Sequence, residues 1–128
     1  MSKNIVLLAI TACILGGCAT SYQKYDDTFF IGSRQGYTDS QIDEENFSVG
    51  FIGNDVTSYD VVYAHALRRA AEVASEHGFP YFEVVNRLDS SRKQDRNAGY
   101  IVYSVTIPAI TLQIKGLHYQ TANSYNSY

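Results

Sequence analysis

Apolar residues along the chain change period several times, and each period dictates a different element. Phe47, Val49 and Phe51 alternate with Ser48, Gly50 and Ile52, which makes one side of the segment strongly apolar and predicts a strand. A weaker extended pattern from Gln35 to Ile42 leads through the polar Asp43-Glu44-Glu45-Asn46 into that strand, so the two segments are expected to pair as a hairpin. The period then lengthens. Tyr59, Val62, Tyr63, Ala66, Leu67, Ala70, Val73 and Ala74 form one stripe on a helix of 3.6 residues per turn. Thr57, with Asp60 three residues on, is the expected N-cap, Gly78 the expected left-handed C-cap, and Pro80 forbids the helix from resuming. Tyr81-Phe82-Glu83-Val84-Val85 is short, aromatic and β-branched, and Tyr100 to Ile114 is β-rich with one break at Pro108 that suggests an edge position or a bulge.

The order strand, strand, helix, strand, strand predicts an α+β fold: a small, mostly antiparallel sheet covered on one face by a single helix, in one domain over 35–117. Between the last strands, Leu88-Asp89-Ser90-Ser91-Arg92-Lys93-Gln94-Asp95-Arg96-Asn97 mixes charges of both signs and has no apolar residue after Leu88, so it reads as a solvated loop, the alternative being that its basic residues form a phosphate-binding or lipid-headgroup patch. Residues 118–128 are polar apart from Tyr119, Tyr125 and Tyr128, and read as a loose tail. Residues 18–34 lack sustained periodicity and read as a tether, with Phe29, Phe30 and Ile31 as a cluster that packs its end on the domain.

The front of the chain obeys a different logic. Lys3, an apolar run from Ile5 to Ile14 and a small-residue site follow one another in the order of a secretory leader spanning 1–17. The stretch from Ile5 to Gly17 is well short of the ~20 residues a helix needs to cross a bilayer. Leu15-Gly16-Gly17-Cys18 matches the bacterial lipobox. Small residues at Gly16 and Gly17 let the signal peptidase accommodate extended backbone, and the Cys18 thiol is the group on which a thioether to diacylglycerol is made. Cleavage before Cys18, with diacylglycerol on its sulfur and an N-acyl chain on its new amine, predicts a firm membrane anchor, because each buried methylene contributes about 0.8 kcal/mol. Ala19 stands where lipoproteins retained in the inner membrane carry an aspartate, so the expected place is the outer membrane, facing the periplasm.

Composition narrows the chemistry. Cys13 and Cys18 are the only cysteines; one leaves with the leader and the other is consumed by lipid, which excludes disulfides, cysteine-zinc sites and cysteine nucleophiles from the domain. Loss of Lys3 leaves nine of the ten basic residues against thirteen acidic ones, a balance that argues against nucleic acid. His65 and His77 lie about 120° apart around the helix axis, and His118 lies far along the chain, so no metal site is expected. Ser58, Asp60 and His65 carry the side chains of a hydrolase triad, but all three fall on the first turns of one helix, with no Gly-x-Ser-x-Gly turn; no catalytic residue is expected. Gly50, Gly53 and Gly78 do not form a phosphate loop. Arg68, Arg69 and Glu72 form a possible interaction surface, although Arg68 and Glu72 have the spacing of a routine helix surface pair. Eleven tyrosines and no tryptophan leave open a platform on which sugar faces stack.

The strings Gly36-Tyr37-Thr38-Asp39, Phe47-Ser48-Val49-Gly50-Phe51-Ile52-Gly53-Asn54, Thr57-Ser58, Leu67-Arg68-Arg69-Ala70-Ala71-Glu72 and His77-Gly78-Phe79-Pro80-Tyr81-Phe82 resemble a family of small proteobacterial envelope lipoproteins named after two Caulobacter loci. The resemblance covers about Gly36 to Asn86 and, more faintly, the strand after Gly99. It implies an envelope compartment and a small α+β fold, and transfers no catalytic residue. The expected function is therefore that of a non-enzymatic interaction or structural component of the envelope, without cofactor, whose partner is the membrane and another envelope protein or peptidoglycan. The alternative is a small-ligand or glycan-binding module of the periplasm.

Overall fold

A computed structural model describes residues 22–26 and 35–128. The leader, the lipobox and the cluster Phe29, Phe30 and Ile31 lie outside the described residues. The elements are β1 (Gly36–Gln41), β2 (Asn46–Ile52), α1 (Tyr59–Glu76), β3 (Tyr81–Asp89), β4 (Arg92–Ala98), β5 (Ile101–Ile107), β6 (Ala109–Leu117) and β7 (Tyr125–Asn126). Five strands form one sheet in the order β1-β2-β6-β3-β7, every pair antiparallel. β4 and β5 pair only with each other, as a separate two-stranded ribbon. The α+β fold with one helix on one face of an antiparallel sheet is what the periodicity dictates.

The hairpin of β1 and β2 turns on Asp43, whose Oδ1 accepts from the backbone amides of Glu45 at 2.9 Å and Asn46 at 2.8 Å. Those amides, with the Asn46 side chain, hold the Asp43 carboxyl below the usual range. The register Phe51↔Ile110, Val49↔Leu112 and Phe47↔Ile114 aligns the apolar residues of β2 and β6 on one face. α1 buries Val62, Ala66, Ala70, Val73 and Ala74 against them, and Phe79 and Phe82 close the layer. Tyr59, Tyr63 and Leu67 of the stripe are only partly buried, at its margins.

The helix begins one residue later than expected. Ser58, not Thr57, is the N-cap: its Oγ accepts from the Val61 amide at 3.3 Å, while the Thr57 hydroxyl donates to Asn54 Oδ1 at 2.6 Å inside the preceding turn. The other end is as expected. Gly78, at φ +84°, lets the Phe79 amide reach the Ala74 carbonyl at 2.9 Å and its own amide reach that of Ser75 at 3.0 Å, closing a Schellman motif.

Two regions differ from the reading of the sequence. The polar stretch 88–97 is no loop: Leu88 and Asp89 end β3, Ser90 and Ser91 form a short break, and Arg92 to Asn97 lie in β4. The β4 and β5 ribbon continues the β3 and β6 pairing beyond that break and beyond Pro108, the point at which the β-rich stretch divides. Nor is the tail loose. β7 pairs with Tyr81 and Phe82, Tyr125 stacks on Phe82 at 5.3 Å, and the buried Ser127 donates its hydroxyl to the Phe79 carbonyl at 2.5 Å.

Leu112→Ala, which empties the middle of the layer beneath α1, is expected to cost about 2 to 5 kcal/mol in urea-induced unfolding. Removal of residues 119–128 should lower the same midpoint, since it uncovers Phe82; an unchanged midpoint would mean that the β7 pairing contributes nothing to stability.

Candidate functional site

Residues 22–26, within the stretch read as a tether, run parallel to β1. The Tyr37 amide donates to the Gln23 carbonyl at 2.7 Å, the Tyr25 amide donates to the Tyr37 carbonyl at 2.8 Å, and Lys24 bridges to Tyr37. This close approach explains Gly36. At φ +130° its backbone suits glycine alone, and a Cβ there would stand 2.4 Å from the Gln23 carbonyl oxygen.

The side chains of α1 complete the clamp. Tyr22 stacks on Tyr37 at 5.2 Å and on Phe51 at 6.4 Å, with the Arg68 guanidinium 3.8 Å above its ring. Its hydroxyl donates to Glu72 Oε2. Arg69 sits 4.5 Å over the Tyr37 ring and bonds three carboxylates: Asp39 at 2.7 Å, Glu72 at 3.0 Å and Glu76 at 3.2 Å. Arg68 reaches the other oxygen of Glu72 at 3.4 Å.

The three residues named as a possible interaction surface are thus brought together, but they are engaged within the molecule to different degrees. The Arg69 side chain is 13% exposed and occupied on all sides, whereas that of Arg68 is 61% exposed. Electrostatics follow the geometry. Burial raises the Tyr22 hydroxyl well above its ordinary range, and the acceptor Glu72 pushes it further. Burial alone would raise the Glu72 carboxyl, but the Tyr22 hydroxyl and the Arg69 guanidinium outweigh it and hold the group below 4.5. Burial weakens the Arg69 charge, and its bonds to Asp39 and Glu72 more than restore it.

A second constellation lies at the root of the ribbon. Arg92, Gln94 and Arg96 alternate along β4, so they share one face, and with Gln35, Gly53, Asn54 and Ile107 they line an open cavity of about 230 Å³. None of the described carboxylates forms an ion pair with Arg92 or Arg96. The Gln35 Oε1 atom is buried without a hydrogen-bond donor among the described residues. The sequence singled out Arg92 and Arg96 as part of a basic group, with an anion-binding patch as the alternative to a solvated loop, but the strand that puts them with Gln94 on one face was not foreseen; the alternation Arg92, Gln94, Arg96 was the available signal.

The histidines are dispersed. His65 lies on the Phe51 ring at 4.7 Å, His77 on Phe47 at 4.5 Å and His118 on Phe79 at 5.0 Å. Among the described residues no group of three or more His, Cys, Asp or Glu side chains could hold a metal ion, and no helix is long and apolar enough to cross a membrane. Ser58 is occupied as the cap of α1, apart from the ring contacts of His65. Compared with family models, curated proteins and solved structures, the chain has no match.

Gly36→Ala should free residues 22–26 while leaving the sheet intact, read as faster hydrogen exchange at the Tyr25 and Tyr37 amides with unchanged exchange at Leu112. The clamp should also depend on pH at both extremes. A lowered Glu72 contributes stability that is present above 4.5 and lost as pH falls through its folded value, and a raised Tyr22 contributes stability that is present below 10.0 and lost as pH rises through its folded value. Protection of the Tyr25 amide, corrected for intrinsic exchange, should therefore fall in acid, and Glu72→Gln should remove that fall.

Proposed function

We propose that the protein is a lipoprotein of the bacterial outer membrane, cut before Cys18, acylated there and facing the periplasm, where its domain acts as a non-enzymatic interaction or structural component. The observation that carries this reading beyond the lipobox is the clamp. Only four residues lead from Cys18 to Tyr22, and four extended residues reach at most ~14 Å. An acylated Cys18 therefore holds the domain against the bilayer instead of trailing it on a long tether. Arg68, Arg69 and Glu72 serve this reading as the groups that fix the anchored end of the chain to the fold. The absence of catalytic work is supported by the separate engagements of Ser58 and His65, which do not converge on a common point.

The cavity beneath the ribbon favours a second reading, a binding module for a small acidic ligand such as a muropeptide. Arg92 and Arg96 would meet its carboxylate, and Gln35 Oε1, without a donor among the described residues, would take a hydroxyl or amide proton.

Cys18→Ser should abolish labelling by radioactive fatty acid and leave a larger, unprocessed chain; unchanged labelling and size would overturn the anchor. For the second reading, muropeptides should bind the full chain in detergent saturably, and Arg92→Ala with Arg96→Ala should remove the binding. A flat titration would eliminate that reading.

A further inference from the structure

Among the described residues, no layer covers the ribbon of β4 and β5. Every residue of β4 is exposed, and on β5 only Val105 and Ile107 are even partly covered. A two-stranded hairpin standing alone is marginal in water, and this one ends in apolar surface. Its last pair is Ala98↔Ile101, joined by the turn Gly99-Tyr100. Tyr100 is fully exposed, Ile101 and Val102 are 66% and 67% exposed, and Tyr103 follows at 46%. Charge is confined to the shaft. Arg92, Lys93 and Arg96 form no ion pair with a described carboxylate, and the single acidic residue, Asp95, accepts from the Ser104 hydroxyl at 2.6 Å. Tyrosines and aliphatic residues at a tip, with unpaired basic residues behind them, match the order in which a bilayer presents acyl chains and phosphates to an approaching protein.

The position of the ribbon supplies the second argument. It leaves the sheet where β3 ends at Asp89 opposite Ile110, beside Ala109, Ile52 and Gly36 in successive registers. Gly36 is also where Gln23 lies against the fold. Because residues 22–26 run parallel to β1, Tyr22 stands at this same end. Seven strand residues extend about 23 Å, against the ~14 Å that four residues of tether can reach. A ribbon that continues the β3 and β6 pairing outward from the end where Tyr22 stands reaches farther than the tether lets that end stand from the bilayer.

We infer that the ribbon is a second membrane contact: Tyr100 to Tyr103 enter the boundary of a phospholipid bilayer while Arg92, Lys93 and Arg96 meet its phosphates. The inference rests on the anchored reading and adds a fixed orientation to it. The lipid on Cys18 supplies firm attachment, and the ribbon sets which end of the sheet faces the membrane.

The test uses the full acylated chain in vesicles of phosphatidylethanolamine and phosphatidylglycerol that carry spin-labelled lipid, with an environment-sensitive dye on Ile101→Cys or, for comparison, on Asn123→Cys. Asn123 is exposed and lies close to β7, which pairs at the far end of the sheet. The expected result is a blue shift and several-fold quenching at position 101, none at 123, and a weaker effect after Arg92→Gln, Lys93→Gln and Arg96→Gln. A dye at 101 that stays in water overturns the inference. So does one shielded only as protein density in the vesicle rises, which would mark contact between copies, or only on adding envelope protein. The mass of the same sample reports whether Cys18 is acylated, so failure of the anchor and failure of the tip are separate results.

Discussion

The rest of the structure depends on how closely one helix can approach one sheet. Among the described residues α1 is the main cover over the apolar face made by Phe47, Val49, Phe51, Ile110, Leu112 and Ile114, with Tyr22 and Phe79 at its margins. Ala66, Ala70 and Ala74 recur at every fourth position, so the helix backbone settles onto the large residues of the sheet without side chains of its own to hold it off. That close seating brings the arginines of the same helix to the edge of the sheet, within reach of Tyr22, Tyr37 and Asp39. A larger residue at Ala70 would therefore disturb more than the core, since it would lift Arg69 from the partners that fix the start of the domain.

Seen from that seating, residues 22–26 and β7 belong to the fold more than their composition suggests. The segment before β1 contributes few apolar atoms, yet the Tyr22 ring stacks on both Tyr37 and Phe51. At the opposite edge Tyr125 does the same for Phe82. In both cases a tyrosine supplies a ring to the layer while its surroundings stay polar, which is how a chain rich in tyrosine and free of tryptophan finishes a small core.

Legibility in the sequence followed the amount of burial. The helix and β2 were readable because each has one face against the core, which imposes a period on the residues; the Gly78 cap was readable from the local chemistry of a glycine at positive φ before Pro80, and β1 from the polar turn that pairs it with β2. β4 was not readable. A ribbon with solvent on both sides has no need of alternating polarity, so Arg92 to Asn97 carry the composition of a loop while adopting the backbone of a strand. β7 is two residues long, too short to show any period. The helix start was misplaced by one residue because Thr57 and Ser58 are both good caps, and the choice falls to the bond between Thr57 and Asn54. Arg68, Arg69 and Glu72 stood out as a charged group, but their partners Tyr22 and Asp39 come from other elements, and no local rule connects them.

Residues 22–26 and β7 also bracket the sheet. β1 and β3 would otherwise be open edges, ready to pair with any exposed strand. Residues 22–26 lie along one, and β7 occupies the first two positions of the other. The remainder of β3 is irregular and charged, with a bulge between Val84 and Asn86 and with Glu83, Arg87 and Asp89 along it. Molecules confined to a surface collide with one another far more often than molecules free in a volume. Under the proposed lipid anchoring, residues 22–26 and β7 would act as guards against sheet-to-sheet polymerisation, and a fusion tag that displaced either one would expose the crowded population to it.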